Sequence, residues 1–134
     1  MPSWRYVWRR GFAPQLQRGH LEVLKQALET DDPRLIQGAT VCPPPLSYLG
    51  DWPVEGACVI GFLGWQGEGK KTALEVEEFF ALLCSECDRL LDEEGSVRFL
   101  LNWYDETPRP QMLRALYREV VRSLEDLRCP LGRH

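Results

Sequence analysis

The sequence predicts an all-α protein, a compact single-domain bundle of about five helices with the two longest packed on each other. Two long stretches repeat apolar side chains at i, i+3, i+4 and i+7, the period of a helix with one buried face. Both open on a residue suited to capping a helix. The remaining apolar segments are too few for a sheet whose edges would be covered. Residues 1–134 therefore read as one helical domain, with 1–12 a basic aromatic N-terminal segment and 40–50 a proline-rich crossing. The alternative is an α+β or small α/β arrangement with strands at 57–63 and 97–104.

The N-terminal segment interleaves Trp4, Tyr6 and Trp8 with Arg5, Arg9 and Arg10. Its aromatic faces suit arginine stems laid over them, so the segment is expected to dock on the body of the domain. Residues 15–29 follow as a helix with Leu21, Leu24, Ala27 and Leu28 on one face. Asp32 and Pro33 then begin a short turn through Ile36, with Asp32 as cap and Pro33 in the first position. The prolines of 40–50 impose an extended, irregular path, because proline donates no backbone hydrogen bond.

Residues 51–66 are apolar almost throughout, so period does not separate helix from strand. The reading is a helix capped by Asp51. The clearest helix covers 72–95. Thr72 and Glu75 form a capping box, and Val76, Phe79, Phe80, Leu83, Cys84, Cys87, Leu90 and Leu91 make the buried stripe, with Gly95 as the stop. A short helix capped by Ser96 is expected over 96–104. The last helix runs from Pro108 to about Arg128 behind a Thr107 cap. Leu113, Leu116, Tyr117, Val120, Leu124 and Leu127 face its core, while Arg114, Arg118, Arg122 and Glu119 lie on the wet side.

Lys and Arg total 16 against 20 Asp and Glu, a net charge of −4. The basic residues gather near the N-terminus and the rest of the chain is acidic, which disfavours nucleic acid as a partner, since phosphate neutralisation supplies most of that affinity. The basic head is expected to pair with the acidic body. No apolar run reaches the roughly 20 residues that cross a bilayer, and the N-terminus lacks the apolar core of a secretory signal. The expectation is a soluble, cytoplasmic protein without a membrane anchor. Five cysteines at irregular spacing do not outline a disulfide framework. Cys84 and Cys87 fall late in a helix beside Glu86 and Asp88, where a thiolate is disfavoured. They read as small buried apolar groups, and no metal site is expected.

The stretch Gly64-Trp-Gln-Gly-Glu-Gly69-Lys70-Lys71-Thr72 resembles the Walker A loop of P-loop nucleoside triphosphatases, with Gly64, Gly69 and Lys70 in place. Leu100 to Asp105 similarly resembles the Walker B strand and its acid. The resemblance implies a parallel sheet, phosphates held by the loop amides and Lys70, and a magnesium ion near Asp105. Lys71 stands where the magnesium-binding hydroxyl belongs. Thr72 comes one residue late, a rotation of about 100° on a helix, and Asn102 interrupts the apolar run. The preferred reading makes 64–72 a connector that leads to the Thr72 cap.

No catalytic constellation or cofactor site is expected. The functional expectation is a non-enzymatic protein-interaction or accessory domain that binds a protein partner or self-associates. Trp4, Trp8 and the ridge of Arg114, Arg118 and Arg122 are the candidate contacts. The alternative is a degenerate P-loop-like nucleotide-binding protein using Gly64, Gly69, Lys70, Thr72 and Asp105.

Overall fold

The structure, a computed structural model, describes residues 3–43 and 51–128. Helix α1 (Trp4–Val7) is capped by Ser3, whose Oγ accepts from the Tyr6 amide at 3.2 Å. It widens without a break into a π-helical turn, Trp8–Phe12, and tightens into a 3-10 turn at Ala13–Gln15. Helix α2 (Arg18–Thr30) follows. The Gln17 amide donates to His20 Nδ1 while the Gln17 side chain accepts from the His20 backbone, a reciprocal cap. Strands β1 (Val41–Cys42) and β2 (Gly56–Ala57) pair antiparallel. Helix α3 (Val59–Phe62) then widens into a second π-helical turn, Leu63–Gly67. Helices α4 (Ala73–Leu91), α5 (Arg98–Glu106) and α6 (Arg109–Arg128) complete the fold.

The domain is thus mostly helical, with a single two-residue ladder among the described residues. Neither alternative strand forms. Only Gly56–Ala57 pairs, and 98–106 is helix. Within the proline-rich crossing, Val41–Cys42 is strand rather than irregular, and residues 44–50 lie outside the described residues. The short turn expected from Asp32 and Pro33 forms. The Asp32 side chain accepts from the Arg34 amide at 2.9 Å, its carbonyl accepts from the Leu35 amide at 3.0 Å, and Leu35 then bridges to Ala57.

Three helix boundaries differ from the sequence reading for physical reasons. The helix expected over 51–66 begins only at Val59, because Glu55, Ala57 and Cys58 give their amides to the carbonyls of Cys42, Arg34 and Thr40. Asp51 serves another helix instead, accepting from the Leu74 amide at 3.0 Å in the first turn of α4. Helix α4 stops at Leu91, where Asp92 takes a left-handed conformation (φ 53°), three residues before Gly95. Ser96 does not cap α5. It is buried, and its hydroxyl joins the Gly95 and Val97 amides in donating to Asp88, at 2.8–3.1 Å.

The two long helices are not each other's main neighbours. Helix α6 lies along α2, whereas α4 packs on α3 and on the Trp8–Phe12 turn. That turn is wedged between them. Trp8 is fully buried and its indole N–H donates to Ser123 Oγ of α6 at 3.0 Å. Gly11 meets α4, where a Cβ would overlap the Cys87 sulfur. The second π turn repeats the device: a Cβ on Gly64 would stand 2.6 Å from the Phe79 ring. Both glycines let a backbone approach α4 more closely than any side chain would permit.

The buried stripe of α6 is turned relative to its expected position. Met112, Leu116, Val120 and Leu124 face the core, while Leu113 and Tyr117 are half-buried. Glu119, placed on the wet side by period alone, is 5% exposed. Its carboxylate accepts two hydrogen bonds from Arg9, each 2.8 Å, and lies 3.5 Å from Arg5. The basic head therefore does pair with the acidic body of its own chain. A carboxylate buried this way is tolerated because a bidentate guanidinium replaces lost water.

Candidate functional site

The glycine-rich stretch links α3 to α4 and is occupied by its own hydrogen bonds. The amides of Glu68 and Lys70 both donate to the Gly64 carbonyl, at 3.3 and 3.0 Å. Gly69 turns the chain with φ 75°. At the head of α4, Glu75 accepts from the Lys71 and Thr72 amides, Thr72 Oγ1 accepts from Glu75, and Asp51 accepts from Leu74. A helix N-terminus attracts anions because its first amides lack partners. Here the chain's own carboxylates fill that role. The Thr72 side chain, with the Leu74 and Trp52 amides, holds Asp51 below the usual carboxylate range, and the Lys71 and Thr72 amides hold Glu75 there. Glu68 reaches back to α2, accepting from His20 Nε2 at 2.8 Å.

Asp105 sits near the end of α5, where it accepts from the Gly38 amide at 2.9 Å. The Walker B resemblance requires a strand, and Leu100 to Asp105 is helical. No parallel sheet occurs among the described residues. Gly64, Gly69, Lys70, Thr72 and Asp105 thus lie in local turns and caps, and the phosphate-loop architecture that the resemblance implies is absent there.

Trp4 and Trp8 belong to the interior rather than to a contact surface. Trp8 has no exposed area, and Trp4 stacks on Trp103 with centroids 3.6 Å apart and planes 7° apart. Arg5 lies over the Trp4 ring at 4.6 Å. Docking of the aromatic segment was the sequence expectation, and the contact role for its tryptophans is corrected by their burial.

The arginine ridge is different. Arg114, Arg118 and Arg122 are all exposed, one turn apart on α6. None has a carboxylate within 4.0 Å among the described residues, whereas Arg5, Arg9, Arg34, Arg89 and Arg109 each do. Arg10, Arg18 and Arg98 also have none there, but only the α6 arginines line up on one helix face. Beside the ridge runs an apolar groove between α2 and α6, of about 340 Å³, lined by Leu28, Glu29, Leu113, Arg114, Tyr117 and Arg118. Its acid is already engaged: Glu29 accepts from the Tyr117 hydroxyl at 3.0 Å and faces Lys25 at 3.9 Å. Sequence reasoning found the arginines but assigned Leu113 and Tyr117 to the core. The available signal was Met112, whose register with Leu116, Val120 and Leu124 puts Leu113 and Tyr117 at the edge of the buried stripe.

Asp92, Glu93 and Glu94 are exposed at the far end of α4 and have no ion pair among the described residues. The four described cysteines are free thiols. Burial pushes Cys58 up to about 11, and Cys84 and Cys87 up to about 12, which removes them as nucleophiles near neutral pH. No group of three or more potential metal ligands gathers among the described residues, and no described helix is long and apolar enough to cross a membrane. The chain matches no protein-family model, no curated protein and no solved structure.

Proposed function

We propose that this protein is a non-enzymatic interaction domain whose contact surface is the α2–α6 groove with its arginine ridge. The occupant that fits is an acidic, amphipathic protein segment. The carrying observation is the clustering of three exposed arginines one turn apart on α6, with no carboxylate within 4.0 Å of them among the described residues, beside an apolar groove on a chain of net charge −4. Like charges one turn apart cost a few tenths of a kcal/mol per pair in an isolated helix. A carboxylate-bearing partner reverses that sign, and guanidinium groups tolerate the desolvation of an interface better than ammonium groups do. Leu113, Tyr117 and Leu28 supply the apolar floor on which a partner's leucines rest. The free thiols suit a reducing compartment such as the cytoplasm.

The test is a titration of isotope-labelled protein with a synthetic helical peptide carrying Leu and Glu at i, i+4 spacing, followed by amide chemical shifts. The expected result is a shift confined to residues around 28, 113–118 and 122, weakening as salt shortens the Debye length below about 10 Å. Arg118→Glu should weaken binding about tenfold, which is 1.4 kcal/mol. Unmoved groove amides, or equal binding by Arg118→Glu, would overturn the proposal.

A further inference from the structure

We infer that the groove's occupant is a second copy of this chain, docking through the acidic end of α4, an inference that rests on the interaction reading above. Two hollows lie at that end and share Glu93. One, of about 510 Å³, is lined by Ser85, Asp88, Arg89, Asp92, Glu93 and Glu94. The other, of about 300 Å³, is lined by Tyr6, Leu91, Glu93 and Ser96. Tyr6, which lines the second, is 46% exposed, and Leu90, beside Leu91 in the chain, is 39% exposed. This surface is acidic with apolar projections, and the α2–α6 surface is basic with an apolar hollow.

The match extends to stiffness and, in part, to dimensions. Arg114 and Arg118 stand about 6 Å apart along the helical rise. Asp92 to Glu94, two Cα steps of a turn, span about the same distance, so the acidic end meets neighbouring arginines of the ridge two at a time. Their turn is held in place by Asp88, which accepts from Gly95, Ser96 and Val97. Docking a turn already held this way loses little conformational entropy. The cations at this end are already engaged: Arg89 donates to Glu86 at 2.7 Å, Arg98 donates to the Gly95 carbonyl, and Arg10 lies over the Tyr6 ring at 6.0 Å. The two surfaces have no residue in common, so the contact joins unlike patches. Such a contact leaves one basic and one acidic face open, and association continues with concentration as a ring or a chain of copies.

The experiment uses two charge-reversed full-length proteins, R114E/R118E/R122E and D92K/E93K/E94K, in sedimentation velocity alongside the unaltered chain. The unaltered chain is expected to grow in mass with concentration and to shrink with added salt. Each reversed protein alone should lose at least about tenfold in association constant. Mixed in equal amounts they should recover it, because the acidic end of the first meets the native ridge of the second. Recovery in the mixture also shows that both proteins are folded. An unaltered chain that stays monomeric up to about 1 mM, or reversed proteins that associate alone, or a mixture that stays monomeric while both proteins keep their helical circular dichroism, would each overturn the inference. If the synthetic peptide still binds the groove under those outcomes, the groove serves a different protein and only self-association has failed.

Discussion

Replacing Gly64 with alanine asks directly whether that glycine is there for packing. The added Cβ would lie 2.6 Å from Cδ1, 2.7 Å from Cγ and 3.1 Å from Cβ of Phe79, where ordinary contact begins at 3.4 Å. Phe79 has little room to yield, because two of these atoms are the ring's root and the carbon fixed to the α4 backbone. Overpacking of this kind costs about 3 kcal/mol at the upper end of its usual range. Alanine returns about 1 kcal/mol of helical preference over glycine. The net loss is about 2 kcal/mol, or roughly 8 °C in melting midpoint for a chain of this size. Urea denaturation followed by circular dichroism measures it. Phe79→Ala removes the two closest atoms, so in the double-mutant cycle Gly64→Ala and Phe79→Ala together should cost about 1 kcal/mol less than the sum of their separate losses. A Gly64→Ala protein as stable as the original, or the absence of coupling to position 79, would refute the packing argument and reopen Gly64 as a ligand-loop glycine.

Glu119→Gln should destabilise the fold by about 2 kcal/mol, between the values for exposed and buried pairs because Arg9 is 40% exposed; a cycle with Arg9→Met reads the shared part in urea. Iodoacetamide near neutral pH should label Cys42, which is exposed, and spare Cys58, Cys84 and Cys87 in the native protein, as peptide mass spectrometry would show. Because folding raises those three thiols above their ordinary value of 9.0, their contribution to stability is complete below that value and fades as pH climbs toward 12. Saturating magnesium–ATP should leave the melting midpoint where it is, with Lys70→Ala behaving identically; a rise of several degrees that Lys70→Ala abolishes would favour nucleotide binding.

Helix α4 was legible because its signals are local: Thr72 and Glu75 at its head and apolar residues at helical spacing behind them. Helix α6 was legible as a helix, but not its orientation. The burial of Glu119 depends on Arg9, 110 residues away, and no window of sequence contains both. Residues 51–58 failed for a similar reason, since carbonyls at 34, 40 and 42 claim their amides. The widened turns at Trp8–Phe12 and Leu63–Gly67 have no periodic signature at all. Their glycines hint at close approach, yet only the facing side chains Cys87 and Phe79 disclose what approaches. For the candidate surface, the arginine spacing was readable while the groove was not, because a hollow between α2 and α6 exists only once both helices are placed.

The joining of Trp8 to Ser123 spans 115 positions of chain. During synthesis on the ribosome, the tryptophan and the Arg9 cation emerge long before the residues that will cover them. The Trp8–Phe12 turn can meet α4 before α6 appears, but its indole N–H and the Arg9 cation find their partners only once Glu119 and Ser123 have left the exit tunnel. The nascent protein therefore passes through a stage at which chaperones that bind aromatic segments have their opportunity.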